Sequence, residues 1–562
     1  MLSRADALEA MTADRFDVVV IGGGVTGAGV ALDAASRGYS VSLVERDDYA
    51  VGTSSRSSKM VHGGLRYLQN FDLGLVREAL LERQLLVQLA PHLVYPTPFL
   101  IPTLGESRTD RRYGVGLNMY DVMATTRVGR SRRERQAREQ AEDYWAPDRH
   151  RTIPGEEVLE LLPALASREP RSAYMFYDCQ TDDVRLVLTV LGEAERFGAV
   201  FANDAVVTGL LEKDGKADGV AVTDAATGAE LEIRADNVVN ATGVWADRIK
   251  PEEVVDEEDV PRISPSRGTH VTLALEELPV THAACIVPAG EGRTIFALPW
   301  YGRALVGTTD NDYDGDISHV EPSSADVDYL LDAVNGYFEV DLDRTRLTGA
   351  YAGVRPLIST GDPRKSVDIS RKAELYETSS GMLTITGGKL TTWRRMAKHV
   401  VDRIVERDGR EAPCRTEDIP LGMPAADDDL DVPEGLTEAK LPEDALEQLR
   451  FRYGYAARNV LKVAGERPEL AAPIADGRPD MLAEAVIAAR LEQARSVADV
   501  LLRRTRLGIL AAPQLRDAGS VMHVAAAMGA ELGWDEARIG REAEAWAETA
   551  VAEGIDPARG VE

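Results

Sequence analysis

The chain has 562 residues, enough for several domains and a large core. Its 93 acidic against 64 basic residues give a formal net charge of −29, a field that repels nucleic-acid phosphate and excludes a general nucleic-acid binder. Hydrophobic residues make up 44%, the share of a globular protein rather than of a disordered acidic chain.

Only ten of the 64 basic residues are lysines, and an acidic, lysine-poor composition is expected of a protein working in high salt. Cys179, Cys285 and Cys414 lie far apart and form no CxxC pair, so neither a cysteine-ligated cluster nor a disulfide scaffold is expected, and no metal site is assigned. No apolar run approaches about 18 residues, so no membrane-spanning helix is expected. Charges within Met1–Arg15 stand where a signal peptide needs an apolar stretch. The expected location is cytoplasmic, with peripheral contact at the inner face of the cell membrane left open.

Phe16–Ile21 is a short apolar run followed at once by glycines and then by a helical pattern; Tyr39–Val44 is a second strand. Gly22, Gly24 and Gly27 satisfy GxGxxG between strand and helix. The first makes the tight turn, the second admits a pyrophosphate to the backbone, and the third allows close helix–strand packing. Glu45 closes the second strand, where a carboxylate can accept ribose hydroxyl hydrogen bonds. These four residues form the expected dinucleotide site.

From Ala205 to Asn240 the pattern becomes a β-meander with turns at 213–216 and 226–228. It ends in the strand 238–240 and a second return to the cofactor at Ala241, Thr242 and Gly243. Residues 265–350 are strand-rich, 418–435 read as a Pro-, Gly- and Asp-rich linker, and the remainder is helical. Met481–Ala494 has helical spacing, and Ser496 with Asp499 is placed to cap the next helix. There are no internal repeats.

Several separate motifs give a resemblance. Ile21–Asp33 continuing to Arg37 and Gly38, together with Gly387–Ala397, is similar to the two signatures of the FAD-dependent glycerol-3-phosphate dehydrogenases. The segments Ser54–Leu68, Tyr177–Cys179 with Asp182 and Asp183, Gly307–Asp310, Gly353–Leu357 and the tail segment Asp499–Arg506 also resemble that family. Trp393 departs from it, standing where the family has Tyr, and is given no chemical role. The resemblance runs from about residue 16 to 545.

The fold it implies is α/β: a Rossmann-like FAD-binding domain (16–95, 175–262 and 350–412), an antiparallel-sheet substrate domain (96–174 and 263–349) and a C-terminal all-helical domain (436–562). The activity it implies is oxidation of sn-glycerol 3-phosphate to dihydroxyacetone phosphate, with hydride passing from C2 to flavin N5. Alternatives are a related amine or amino-acid oxidase, or a non-catalytic flavoprotein subunit of an electron-transfer complex.

Further FAD contacts implied by the resemblance are Arg46, Ser54, Ser55, Lys59, His62, Gly63, Gly64, Val207, Gly388, Lys389, Leu390 and Thr391. Arg355, in Gly353-Val-Arg-Pro-Leu357, offers a planar fork for the substrate phosphate. Lys389, one of the few lysines, reaches flavin or substrate. Arg66, Tyr67 and His270 are further substrate contacts, and His62 is the preferred base. With Arg355 and Lys389, His62 makes up the expected catalytic set.

Expected electron acceptors are a quinone or iron–sulfur partner subunits; a membrane surface and a homodimer are left open. The stretch 108–151 holds eleven arginines against seven acids, and it either docks on anionic lipid or an acidic partner or is a solvated helix. The apolar run Pro91–Pro102 is the expected apolar supplement to that docking.

Overall fold

The computed structural model describes residues 3–65, 72–105, 111–125, 149–249, 262–290, 292–359, 373–426, 429–433, 436 and 441–559. Short Val-rich strands buried on both faces build the first sheet, since such runs bury apolar surface only between helical layers. Its parallel centre is Arg15–Ile21, flanked by Val41–Val44 and by Glu230–Asn240. Val200–Ala202 and Leu383–Gly387 extend it in parallel on either side, and Ala373–Glu377 adds an antiparallel edge. Ile21 is level with both Val44 and Asn240, so the carboxyl ends of three strands open at one height.

The meander is as expected: Ala205–Lys213 and Lys216–Asp224 form an antiparallel pair that feeds Glu230–Asn240, with turns at both assigned places. Helices Val25–Ser36, Asp183–Arg196 and Trp393–Asp408 pack together over this sheet. Trp393 is fully buried against Gly29, where an added Cβ would lie 2.5 Å from the indole.

The second, ten-stranded sheet runs Asn311–Asp312, Arg262–Ala274, Arg303–Gly307, Thr294–Trp300, Ala284–Pro288, Tyr95–Leu104, Pro170–Gln180, Met60–Val61. Leu347–Ser359 pairs with Arg262–Ala274, and Arg151–Pro154 with Pro170–Gln180. Met60–Val61 and most of Leu347–Ser359 thus belong to this sheet, although the sequence reading gave their segments to the flavin-binding domain.

The run Pro91–Pro102 is also corrected. Tyr95–Leu104 is an internal strand paired on both sides, and Phe99 and Leu100 are fully buried. Leu93, Val94, Phe99 and Leu100 thus face the core, while Tyr95 and Ile101 stay half-buried.

The helix Ser324–Phe338 covers one face of this sheet. Phe99, Phe176, Trp300 and Leu305 on the other side join the core of the C-terminal helices Ala445–Tyr453, Ala457–Glu466, Leu482–Leu491, Ala518–Leu532 and Glu536–Ala552. Ser496 and Asp499 cap each other as expected: Asp499 N donates to Ser496 Oγ (3.1 Å) and Ser496 N to Asp499 Oδ2 (2.9 Å). Among the described residues, no helix is long and apolar enough to cross a membrane, and no group of three or more His, Cys, Asp or Glu side chains is placed to hold a metal ion.

Candidate functional site

A cleft of about 410 Å³ opens at the carboxyl ends of the parallel strands, where the geometry of open α/β sheets places ligands. Gly22 sits in the left-handed half of backbone space (φ +108°), and an added Cβ would lie 2.8 Å from the Ala241 carbonyl oxygen. Gly27 is pressed still harder, its missing Cβ only 1.9 Å from the Gly22 oxygen, which lets the helix Val25–Ser36 begin directly above the strand. Gly24 caps that helix, and Val25 and Thr26 of its first turn line the cleft. Val25 N donates to Ser54 Oγ (3.0 Å), and an anion placed there meets the other N–H groups of the first turn and the positive end of the helix dipole.

Glu45 closes the second strand as expected. Its carboxylate accepts hydrogen bonds from Gly23 N (2.7 Å) and Asp47 N (3.0 Å). Burial nevertheless pushes its carboxyl up to about 7, against the pull of these backbone donors. Opposite, Asn240 braces the return: its Oδ1 accepts from Thr242 Oγ1 (2.7 Å) and N (3.2 Å), and its Nδ2 donates to the Ala246 carbonyl.

Of the residues read from sequence as cofactor contacts, Gly22, Gly24, Glu45, Arg46, Ser54, Val207, Ala241, Thr242, Gly243, Gly388, Lys389 and Leu390 line the cleft. Gly27 supports it from beneath. The wall also contains Gly52, Thr53, Trp245, Arg248 and Pro356, which the sequence reading did not assign. Trp245 follows the Ala241–Gly243 return directly, and the Arg46 guanidinium lies 5.0 Å from its ring.

Ser55, Lys59, His62, Gly63, Gly64 and Thr391 are not among the lining residues. The Ser55 hydroxyl turns back onto the Val51 and Gly52 carbonyls. The Lys59 ammonium is fully buried, donating to Asp183 (2.8 Å) and to the Ser55 carbonyl (2.6 Å). Burial, then the neighbouring Arg506, pushes it down to about 7 despite Asp183; in this structure it braces Asp183 and the Ser55 carbonyl and does not line the cleft. Gly63 packs on Leu80 and Tyr120 and donates to Asp178 (3.3 Å), a carboxylate also held by Arg83 and Tyr120. The buried Thr391 hydroxyl bonds both the N–H and the carbonyl of His62, tying that residue's backbone to the loop that follows Lys389.

Arg355 is not among the lining residues, although Pro356, which follows it in the chain, is. Its guanidinium reaches Asp310 (2.9 Å), Thr308 Oγ1 (3.3 Å) and the Thr309 carbonyl (3.2 Å), so the Gly307–Asp310 motif is its cradle. Gly268 leaves room for it, since a Cβ there would lie 2.6 Å from Nη2. His270 is buried with its ring stacked on Tyr351 (4.7 Å between centroids) and its Nε2 2.8 Å from Ser58 Oγ. Burial, then Lys59 and Arg355, holds its pKa well below the ordinary imidazole value, so it is neutral. Arg66 and Tyr67, and most of the arginine-rich stretch 108–151, lie outside the described residues.

The site fits FAD on its own geometry: a glycine cradle that any Cβ would fill, a helix N-terminus for the pyrophosphate, and a buried acid at the end of the second strand. Comparison with known proteins agrees. Residues 17–394 match the model of the FAD dependent oxidoreductase family, and 385–539 match that of the C-terminal domain of alpha-glycerophosphate oxidase. Glycerol-3-phosphate dehydrogenase 2 of Mycobacterium tuberculosis is 37% identical over 549 residues, covering 96% of this chain and 88% of that protein. The aerobic glycerol-3-phosphate dehydrogenase of Bacillus subtilis is 34% identical, over 90% of this chain and 89% of its own. The crystal structure of the glycerol-3-phosphate dehydrogenase from Bacillus halodurans complexed with FAD superposes with a TM-score of 0.73 at 27% identity, covering 98% of this chain and 97% of that one. The chain therefore belongs to the FAD-dependent oxidoreductases, in the family of the FAD-dependent glycerol-3-phosphate dehydrogenases.

Proposed function

We propose that the protein oxidises sn-glycerol 3-phosphate to dihydroxyacetone phosphate. The observation that carries this reading is the likeness, over 96% of the chain, to relatives named for that activity. The arrangement of cations at the cleft supports it: Lys389 lines the wall, and Arg355 adjoins the lining residue Pro356. An arginine fork and an ammonium suit a phosphate monoester.

FAD, when bound, supplies the acceptor for the hydride leaving C2. The chain's own residues bind and orient the substrate and take up the C2 hydroxyl proton. Arg355 is the proposed phosphate ligand, held in orientation by Asp310, and Lys389 the cation nearest the reacting end. His62 is the proposed base, because its backbone is tied to the Lys389 loop through Thr391.

His270 is a second reading, favoured by a specific observation: its Nε2 lies 2.8 Å from Ser58 Oγ, next to the cleft-lining Ser57. Replacing each by Gln separates them. Loss of flavin reduction in single turnover, with substrate binding retained, marks the base; unchanged reduction removes that histidine from the chemistry.

Electron transfer to a quinone at an anionic lipid surface is the companion reading. The helix Arg111–Thr125 exposes Val115, Met119 and Val122, spaced to share one face. It leads into the arginine-rich stretch, whose charge complements such a surface. Flotation with anionic vesicles tests this. Val115→Ser with Val122→Ser should lower recovery with the lipid, and equal recovery would refute it.

A further inference from the structure

The cleft wall from Val44 to Ser57 is a loop held from two sides. On the inner side Glu45 accepts from Gly23 N, and Ala50 N donates to the Gly23 carbonyl (3.0 Å). Tyr49 packs against Gly23, where a Cβ would lie 2.7 Å from the ring. Ala50 itself sits at φ +64°, a left-handed conformation that a residue with a side chain adopts only under constraint.

On the outer side, Asp204 N donates to the Asp47 carbonyl and Thr53 Oγ1 to the Val354 carbonyl, and the stretch 48–55 is held further from the C-terminal helical domain. Asp48 accepts hydrogen bonds from Arg503 and from both terminal nitrogens of Arg504 (2.7 and 2.8 Å). Tyr49 OH donates to Gln493 Oε1 (2.8 Å), and Arg506 donates to the Ser55 carbonyl (2.8 Å). Burial alone would raise the Asp48 carboxyl, yet Arg504 and Arg503 hold it at about 2. Neither Gln493 nor any of these arginines lines the cleft.

The charges are arranged asymmetrically. Arg503 also pairs with Asp499 (2.6 Å) and Arg504 with Glu492 (3.2 Å), which Arg185 shares, so each arginine keeps one acid partner without Asp48. Asp48, by contrast, is paired to cations that both come from the other domain. The contact therefore serves the loop more than the helices.

We propose that Arg503, Arg504 and Arg506 are positioning residues for the cofactor. By fixing the loop 45–55, the C-terminal domain sets FAD affinity without touching FAD. The proposal rests on FAD occupying the cleft. Binding free energy shared between loop and domain must act in both directions.

The test uses the full chain stripped of FAD and titrated with FAD, following flavin fluorescence. Asp48→Asn removes the charge of the link while leaving each arginine one acid partner, Asp499 or the shared Glu492. It should raise the FAD dissociation constant at least tenfold, with KM for sn-glycerol 3-phosphate at saturating FAD within twofold of the unaltered protein.

Should this variant fail to fold, hydrogen exchange of the unaltered protein with and without FAD decides. FAD should slow exchange in 499–506 as well as in 45–55. A folded Asp48→Asn chain with an unchanged FAD constant, or protection confined to 45–55, would overturn the proposal. An unaltered chain that takes up no FAD would overturn the cofactor assignment with it.

Discussion

Glu45 ties FAD binding to pH in a way that can be worked through. In the FAD-free protein burial lifts its carboxyl from 4.5 to about 7. At about 1.36 kcal/mol per pH unit, that displacement amounts to about 3 kcal/mol. Between those two values the native chain binds more protons at this group than the unfolded chain. The contribution is present below 4.5 and lost as pH rises through about 7.

The proposed role needs the carboxylate, because ribose hydroxyls are donors. FAD binding therefore releases a proton below pH ~7, and the FAD dissociation constant should be about tenfold larger at pH ~6 than at pH ~8. Fluorescence titration of stripped protein across that range measures it. Glu45→Gln should bind FAD more weakly and with no such slope. A flat profile in the unaltered protein, or the same slope in Glu45→Gln, would refute the reasoning.

Arg355→Met should lower kcat/KM for sn-glycerol 3-phosphate by about 10–100-fold, the worth of a charge-assisted hydrogen bond, while FAD content is retained; steady-state kinetics with a flavin-to-protein ratio checks both. Gly27→Ala drives a methyl to 1.9 Å from the Gly22 oxygen, so the purified protein should carry little or no flavin. Trp393→Ala should destabilise the fold by about 3–5 kcal/mol in urea, whereas Trp393→Tyr should leave kcat unchanged, since the indole packs on Gly29 and does not line the cleft.

The parts of the site that were legible in sequence are those whose physics is local. Gly22, Gly24, Gly27 and Glu45 lie within one strand–helix–strand unit, so spacing alone brings them to one place. Ala241–Gly243 could be told from the similar 226–228 turn by the apolar strand before it.

The surroundings of Lys59 were not legible because its partners are remote: Asp183 is 124 residues away, and Arg506 comes from another domain. A retained lysine among serines gives no sign of the buried carboxylate it pairs with. Pro96, Pro98 and Pro102 hid a strand, because proline is rare within sheets and gives no alternation to read. The resemblance drew attention to Asp499–Arg506 without revealing Asp48, the acid on which two of its arginines converge.

The central claim is the substrate, and anaerobic reduction of the FAD-loaded protein tests it most directly. Stoichiometric sn-glycerol 3-phosphate should bleach the flavin absorbance in a single turnover and yield one dihydroxyacetone phosphate per flavin, while amino acids and glycerol leave the spectrum unchanged. Bleaching by an amino acid, with none by sn-glycerol 3-phosphate, would contradict the account.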